Sequence, residues 1–352
     1  MFVQIYHLIS GTELGNLGQF LILENLNLLQ SMNKIRNTKK SVYILTEGET
    51  EEAYFSRIAE IVGSDTEWIY SVTVEVREII RGSKTDPVHM VNEAKRKKKE
   101  YDEVWVVFDK DRERDNENKR ALDNASKSKV NVAFSSISFE HWLILYFERK
   151  DFAFFRSDCE SRGEVCNCNG LICASTYLKT AALYPTFKKG YSLIYDDIQA
   201  KNAIAIENAA WLRMQRRPYS EKHILNPYTD VDKLLCELLN LNRVEYASIN
   251  EIFRYEKIDL NLTNFERDGN NISIMLTLTN HGDIAFPINN NLPFKLVDIH
   301  GNSYAFDAIQ ATILAPNEFQ NMKLDFTINS LLYSVRFTAL TVGKTFLVDL
   351  PI

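Results

Sequence analysis

The chain has 352 residues, enough for two or three domains. Apolar residues make up 45% and charged residues 25%, the balance of a globular chain with a real core. A net charge of −6 excludes a generally basic nucleic-acid-coating protein, yet leaves room for an enzyme that handles nucleic acid through metal ions and local basic patches.

No apolar run approaches the ~18 residues that a membrane helix needs. The stretch from Phe2 to Leu29 contains Glu13 and Glu24 and has no positive region ahead of an apolar block, which makes it a poor signal peptide. Residues 1–40 read as an N-terminal extension, with Met32 a candidate start of translation just before the basic segment Lys34, Arg36, Lys39 and Lys40. No contact with a membrane is expected, and the location expected is cytoplasmic.

From Ser41 short apolar runs alternate with helical patterns. Ser41-Val-Tyr-Ile-Leu-Thr46 predicts a strand that ends at Glu47-Gly48. Thr50 can cap a following helix whose first turn holds Glu51 and Glu52, with Tyr54, Ile58, Ile61 and Val62 at helical spacing. Ser71 to Arg77 alternates like a strand. Asp86-Pro87 marks a helix start, and that helix runs to about Glu100 through the basic run Arg96 to Lys99. Glu103-Val-Trp-Val-Val-Phe-Asp109 predicts a strand buried on both faces. A polar helix over Arg112 to Ala125 and a strand over Asn131 to Ser135 follow. This βαβαβαβ order predicts an α/β domain with a mostly parallel sheet and helices on both faces.

Ser138 to Phe147 then predicts a helix with Phe139, Trp142, Leu143, Tyr146 and Phe147 on one wide apolar face. After a cysteine-bearing insertion, Asp158 to Ser175, a long helical region covers Tyr191 to Arg217 and stops at Pro218. Thr229 with Asp232 reads as a capping box before a closing helix whose buried stripe is Val231, Leu234, Leu235, Leu238 and Leu239. Residues 41–240 thus form the first domain and 241–257 a linker. Beyond, Ile272, Ile274, Leu276 and Leu278 alternate with polar residues, as do Met322, Leu324, Phe326 and Ile328. Turn signals such as Asp268-Gly269 and His281-Gly282-Asp283 separate the runs. Residues 258–352 are therefore expected to form an antiparallel β-sandwich.

In a doubly wound sheet ligands bind beyond the carboxyl ends of the strands. Glu47 follows the first strand and Asp109 and Asp111 close the third, so three carboxylates project from one edge. Close carboxylates repel, and a hard divalent cation, Mg²⁺ or Mn²⁺, relieves that repulsion while keeping waters for phosphate oxygens. Each piece also has a plain reading: Glu-Gly after a strand is a common turn, and Asp-Lys-Asp before a polar helix is a common cap.

Thr46-Glu-Gly-Glu-Thr-Glu51 with Tyr54-Phe55, then Val106-Val-Phe-Asp-Lys-Asp111, then Ser138-Phe-Glu-His-Trp142 resemble the motifs of RloB-like proteins, a branch of the Toprim superfamily linked to restriction and other anti-phage loci. Tyr184 to Lys189 and Asn226-Pro-Tyr-Thr229 are similar to that family's later landmarks. The resemblance covers about residues 40 to 240 and leaves the sandwich outside it. It implies a Toprim-like fold and a Mg²⁺-dependent nuclease acting on DNA or RNA. Glu47 would be a general acid or base, Asp109 and Asp111 would hold the metal, and Glu140 would be a further acidic site residue. It also implies a separate ATPase partner from the same defence locus. Glu51 stands either beside the site or as a servant of the helix dipole. His141, where the family often has a more hydrophobic residue, reads as a partly exposed helical histidine.

Weaker signals remain. Cys159, Cys166, Cys168 and Cys173 fall within fifteen residues and are candidate ligands of a structural zinc ion, but they lack paired Cys-x-x-Cys knuckles, and free thiols are the plain alternative. Lys34 to Lys40, Arg96 to Lys99 and Arg213, Arg216 and Arg217 are candidate phosphate contacts, although charge runs at helix ends are usually solvated faces. Gly82-Ser-Lys-Thr85 lacks the upstream glycine of a P-loop, so no ATP site is expected. The competing function is a regulatory module that binds nucleic acid or a nucleotide without cutting it, with a partner-binding sandwich. A topoisomerase is disfavoured because nothing marks a nucleophilic tyrosine. Self-association into a homo-oligomer is compatible with all of these.

Overall fold

The computed structural model describes residues 39–64, 70–76, 86–110, 115–155, 172–216, 221–255, 257–298, 302–328, 334–341 and 344–351. The apolar run of the first strand becomes β1 (Lys40–Thr46), and the helix after Gly48 is α1 (Glu49–Ser64). Next come β2 (Tyr70–Val76), α2 (Pro87–Lys97), β3 (Glu103–Asp109), α3 (Asp115–Ser128) and β4 (Asn131–Ser136). Asp86 caps α2 by accepting the Val88 N–H, with proline at the first helical position, as the dipeptide predicts.

β1, β2, β3 and β4 pair in parallel, and β5 (Tyr228–Thr229) closes the edge antiparallel, giving the order β2-β1-β3-β4-β5. Period-two alternation sends the two faces of β1 and β3 into different cores. Val42, Ile44, Trp105 and Val107 pack with Tyr54, Phe55 and Ile58 of α1. Tyr43, Leu45, Val106 and Phe108 pack with Met90 and Ala94 of α2 and Ala121 and Ala125 of α3. Burial on both faces is why these strands read as continuous apolar runs.

The first core is completed by α4 (Phe139–Ile144), α5 (Ala174–Thr180), α6 (Ile194–Ile198), α7 (Asn202–Arg216) and α8 (Val231–Leu238). Two expectations need correction here. The region 191–217 is not one continuous helix: it breaks at a 3₁₀ turn over Gln199–Lys201. The Asn202 side chain donates to the Tyr195 hydroxyl and accepts from Tyr146, so buried polar partners fix the break. Thr229 and Asp232 do not form a capping box. Asp230 is the N-cap residue of α8, Thr229 sits in β5, and Asp232 is taken by a bidentate pair with Arg213.

The segment 241–257, read as a linker, contains β6 (Arg243–Tyr246) and β7 (Ile252–Tyr255). The remaining strands are β8 (Ile258–Asp268), β9 (Asn271–Asn280), β10 (Phe286–Ile288), β11 (Phe294–Asp298), β12 (Ser303–Tyr304), β13 (Thr312–Leu314), β14 (Phe319–Thr327), β15 (Ser334–Thr341) and β16 (Lys344–Pro351). They form two main sheets, β14-β9-β8-β7 and β12-β11-β15-β16-β6, with β10 and β13 as a separate ribbon. Ile272, Ile274, Leu276, Leu278, Leu324 and Phe326 face inward between them. Gly269 at φ +59 makes the two-residue turn between β8 and β9 that a residue with a Cβ resists. The pairing is antiparallel except that β6 runs parallel to β16.

β6 also joins the two units. Ala210 of α7, Tyr246 and Leu347 form a small buried cluster. Above it Arg149 bonds Glu207 at 2.7 Å and the Tyr246 hydroxyl at 2.6 Å, while Arg336 bonds Glu207 and Asp349, each at 2.8 Å. No helix among the described residues is long and apolar enough to cross a membrane.

Candidate functional site

Parallel pairing with β1 beside β3 and β3 beside β4 puts three strand ends on one rim. Just past β1 the Glu47 N–H still bonds the Val107 carbonyl at 3.0 Å, so the ladder carries Glu47 alongside the end of β3. Its Oε2 accepts the Asp109 N–H at 3.1 Å. Asp109 Oδ2 in turn accepts the Phe139 N–H at 3.0 Å, which ties the start of α4 to the end of β3. The other oxygen, Asp109 Oδ1, is buried and has no hydrogen-bond partner.

Two more carboxylates join these. Glu140, next to Phe139, is 3% exposed, and Glu51, in the first turn of α1, is 5% exposed. Glu51 folds back over Gly48: a Cβ at position 48 would lie 2.6 Å from Glu51 Oε2, so glycine leaves the space that this carboxylate uses. A cation arrives from a distant loop. Gly190, at φ +66, donates its N–H to Thr50 Oγ1 at 3.3 Å, pinning the loop onto the first turn of α1. Lys189 Nζ then sits 3.4 Å from Glu140 Oε1.

Burial, followed by the charges of Glu140 and Glu47, pushes the Glu51 carboxyl up to about 8, with its own backbone N–H and Lys189 working the other way. Burial together with Glu51, Glu140 and Glu47 holds the Asp109 carboxyl well above the usual carboxylate range, against the Phe139 N–H. Four acids therefore share a rim that resists holding four negative charges.

Of the acids expected from sequence, Glu47, Asp109 and Glu140 are brought together, and Asp111 lies outside the described residues. Lys110, between the two aspartates, is 8% exposed, and its amine is held by the Ile224 carbonyl at 3.2 Å and Asp115 at 3.3 Å. Glu51 belongs to the cluster itself. His141 is not partly exposed: it is fully buried, packed on Phe154, with Nε2 3.2 Å from the Lys150 carbonyl, and burial lowers it to about 4. Lys189 was no more than a landmark in the sequence. Only the turn at Gly190 carries it to Glu140, and no spacing between residues 140 and 189 signals that contact. Cys173 is buried at the N-cap of α5, while Cys159, Cys166 and Cys168 lie outside the described residues.

The donors on the rim are all hard carboxylate oxygens, the kind that Mg²⁺ and Mn²⁺ take. The buried, partnerless Asp109 Oδ1 and the mutual repulsion of its neighbours fit a divalent cation. As the side chains stand, Glu47 and Asp109 are turned onto backbone N–H groups, and no group of three or more His, Cys, Asp or Glu among the described residues is arranged to hold a metal ion. Holding one there requires the carboxylates to rotate toward each other or Asp111 to supply oxygens.

A family model described as RloB-like protein matches residues 42–238, from within β1 to the end of α8. No curated protein matches the chain. Among solved structures, the chain is similar to the yjhA protein of Bacillus subtilis at 14% identity, over 29% of this chain and 98% of that one, with a TM-score of 0.26. An uncharacterized beta-sandwich protein of Clostridium difficile 630 matches at 12% identity, over 31% and 95%, with a TM-score of 0.25. A secreted protein of Mycobacterium tuberculosis, MPT63, matches at 8% identity, over 30% and 96%, with a TM-score of 0.24.

Proposed function

The chain belongs to the RloB-like protein family, and from that premise we propose that it is a Toprim-type nuclease, dependent on Mg²⁺ or Mn²⁺, that cuts phosphodiester bonds in DNA or RNA during anti-phage defence. The observation that carries this reading is the meeting of Glu47, Glu51, Asp109 and Glu140 at one sheet edge, with the buried Asp109 Oδ1 lacking a partner. Asp109, Asp111 and Glu47 are the residues that would hold the cation. When bound, it would polarise a phosphate and orient a water. Glu47, whose Oε2 accepts the Asp109 N–H, would take or give a proton in the reaction. Lys189 balances the charge of Glu140, which lets these acids crowd together. The bond from Phe139 N–H to Asp109 fixes the height of α4, and with it Glu140, above the strand ends.

The test incubates the protein with DNA and RNA in Mg²⁺ or Mn²⁺ and compares it with Glu47→Gln and Asp109→Asn. Loss of cleavage in both variants supports the assignment, and equal cleavage by all three removes it. One observation favours a second reading. Glu47, Asp109 and Glu140 each already have a backbone or lysine partner, as members of a purely structural cluster would, and a non-cleaving nucleic-acid or nucleotide-binding module would use them so. That module predicts tight binding, no cleavage, and variants that keep their function. The separate ATPase partner and a structural zinc ion on the cysteine cluster stay part of the proposal. Co-purification from the native locus tests the first, and metal content per chain tests the second.

A further inference from the structure

The helices α2 and α3 end side by side on the edge of the sheet opposite the acidic rim. There Lys95, Arg96, Lys98 and Lys99 of the first are exposed next to Lys127 and Lys129 of the second. The two ends are joined where Lys98 Nζ donates to the Ser128 carbonyl at 2.8 Å. Lys97 alone turns inward, over the Tyr43 ring and toward Glu100 at 3.5 Å. None of the six exposed cations forms an ion pair with a described residue. The nearby acids are occupied or set back: Asp102 accepts from Ser41, and Asp123 lies one turn behind Lys127 without bonding it.

A helix end attracts one or two cations through its dipole; six from two helices exceed that need. Lys129 adds an independent sign. It sits at φ +54, just past the end of α3, in the left-handed conformation where glycine is the usual residue, so the chain keeps a charge there against backbone strain. The large apolar residues that are exposed elsewhere, such as Phe319, Ile313 and Ile284, are absent from both helices. Protein interfaces are depleted in lysine and rich in aromatic residues, whereas phosphate backbones are met by lysine and arginine.

We propose that this basic face is an anchoring surface for the phosphate backbone of nucleic acid, separate from the carboxylate rim. β3 spans the distance between them, seven residues or roughly 20 Å at the usual rise per residue. A duplex gripped here is therefore held without occupying the rim. In a chain of net charge −6 this face localises the attraction to polyanions.

The experiment measures fluorescence anisotropy of labelled DNA and RNA duplexes of about 30 base pairs with the full chain in EDTA, between about 50 and 200 mM salt. The combined variant Lys95→Gln, Arg96→Gln, Lys98→Gln, Lys99→Gln is expected to bind at least about tenfold more weakly at low salt and to lower the salt slope by about 3. Lys129→Gly removes one charge and relieves the strained φ, so it should weaken binding a few-fold while raising the melting temperature. Unchanged affinity and slope in both variants overturn the proposal. So do a Lys129→Gly that binds as wild type and poly-glutamate that competes as well per charge as the duplex, which would make the face a site for acidic protein. These readouts need no cleavage, so failure here is distinct from failure of the nuclease reading. The DNA and RNA arms show which backbone is preferred.

Discussion

Replacing Glu51 with glutamine removes one ionisable group from the carboxylate cluster while keeping its length and a polar end against Gly48. In the folded protein Glu51 holds its proton up to about 8, against an ordinary value near 4.5. Between those two pH values the folded state binds a proton that the unfolded chain has already released. Stability is therefore fully present below about 4.5 and is lost as pH rises toward 8. At about 1.4 kcal/mol per pH unit, the loss across that window is on the order of 4 kcal/mol. For a domain of this size that is roughly 8–16 °C in melting temperature. The assay is thermal or urea unfolding of wild type and Glu51→Gln in EDTA at steps from about pH 5 to pH 8. Wild type should lose stability steadily, and the variant should be the more stable near pH 8. Its profile should be shallower but not flat, because Asp109 still titrates in the same direction. Parallel profiles for the two proteins, or a wild type that gains stability with pH, would refute the account of the rim as an over-charged cluster.

Gly48→Ala should displace the Glu51 carboxylate, the flexible end of a side chain, at a cost of no more than about 1–2 kcal/mol; on the proposed function nuclease rate then falls far more than denaturation midpoint, which a cleavage assay beside urea unfolding would show. Mg²⁺ or Mn²⁺ near pH 8 should raise the wild-type melting temperature, by about 2.7 kcal/mol of stability at a hundred times the dissociation constant, and Asp109→Asn should abolish the rise in the same scan. Arg213→Met should cost about 3–5 kcal/mol by stranding the buried Asp232. Adding Asp232→Leu should recover much of that loss, as read by denaturant midpoints.

The strand-helix alternation was legible because parallel strands buried on both faces announce themselves as apolar runs, and Asp86-Pro87 states its cap outright. The sandwich was legible in the period-two alternation of Ile272 to Leu278. What failed did so where a distant side chain overrode a local pattern. Arg213 claims Asp232 before the N-terminal turn of α8 can use it, and Asn202 breaks the helical region by serving Tyr146 and Tyr195. β6 is four residues long, too short to read without the strand that it pairs with. Glu47 and Asp109 were legible as neighbours because strand ends on one rim must meet. Lys189 was not, since its position depends on a loop turned by Gly190 and pinned to Thr50. The burial of His141 follows from helix packing that an isolated amphipathic pattern leaves undetermined.

The parallel bond between β6 and β16 has a consequence for how the chain matures. Residues 243–246 emerge from the ribosome directly after the α/β unit, but their backbone partners at 344–347 follow roughly a hundred residues later. Until then the Arg149 and Glu207 side chains wait without Arg336 and Asp349. The seam between the halves thus closes last, and a truncated product carries the acidic rim without the lock that joins it to the sandwich.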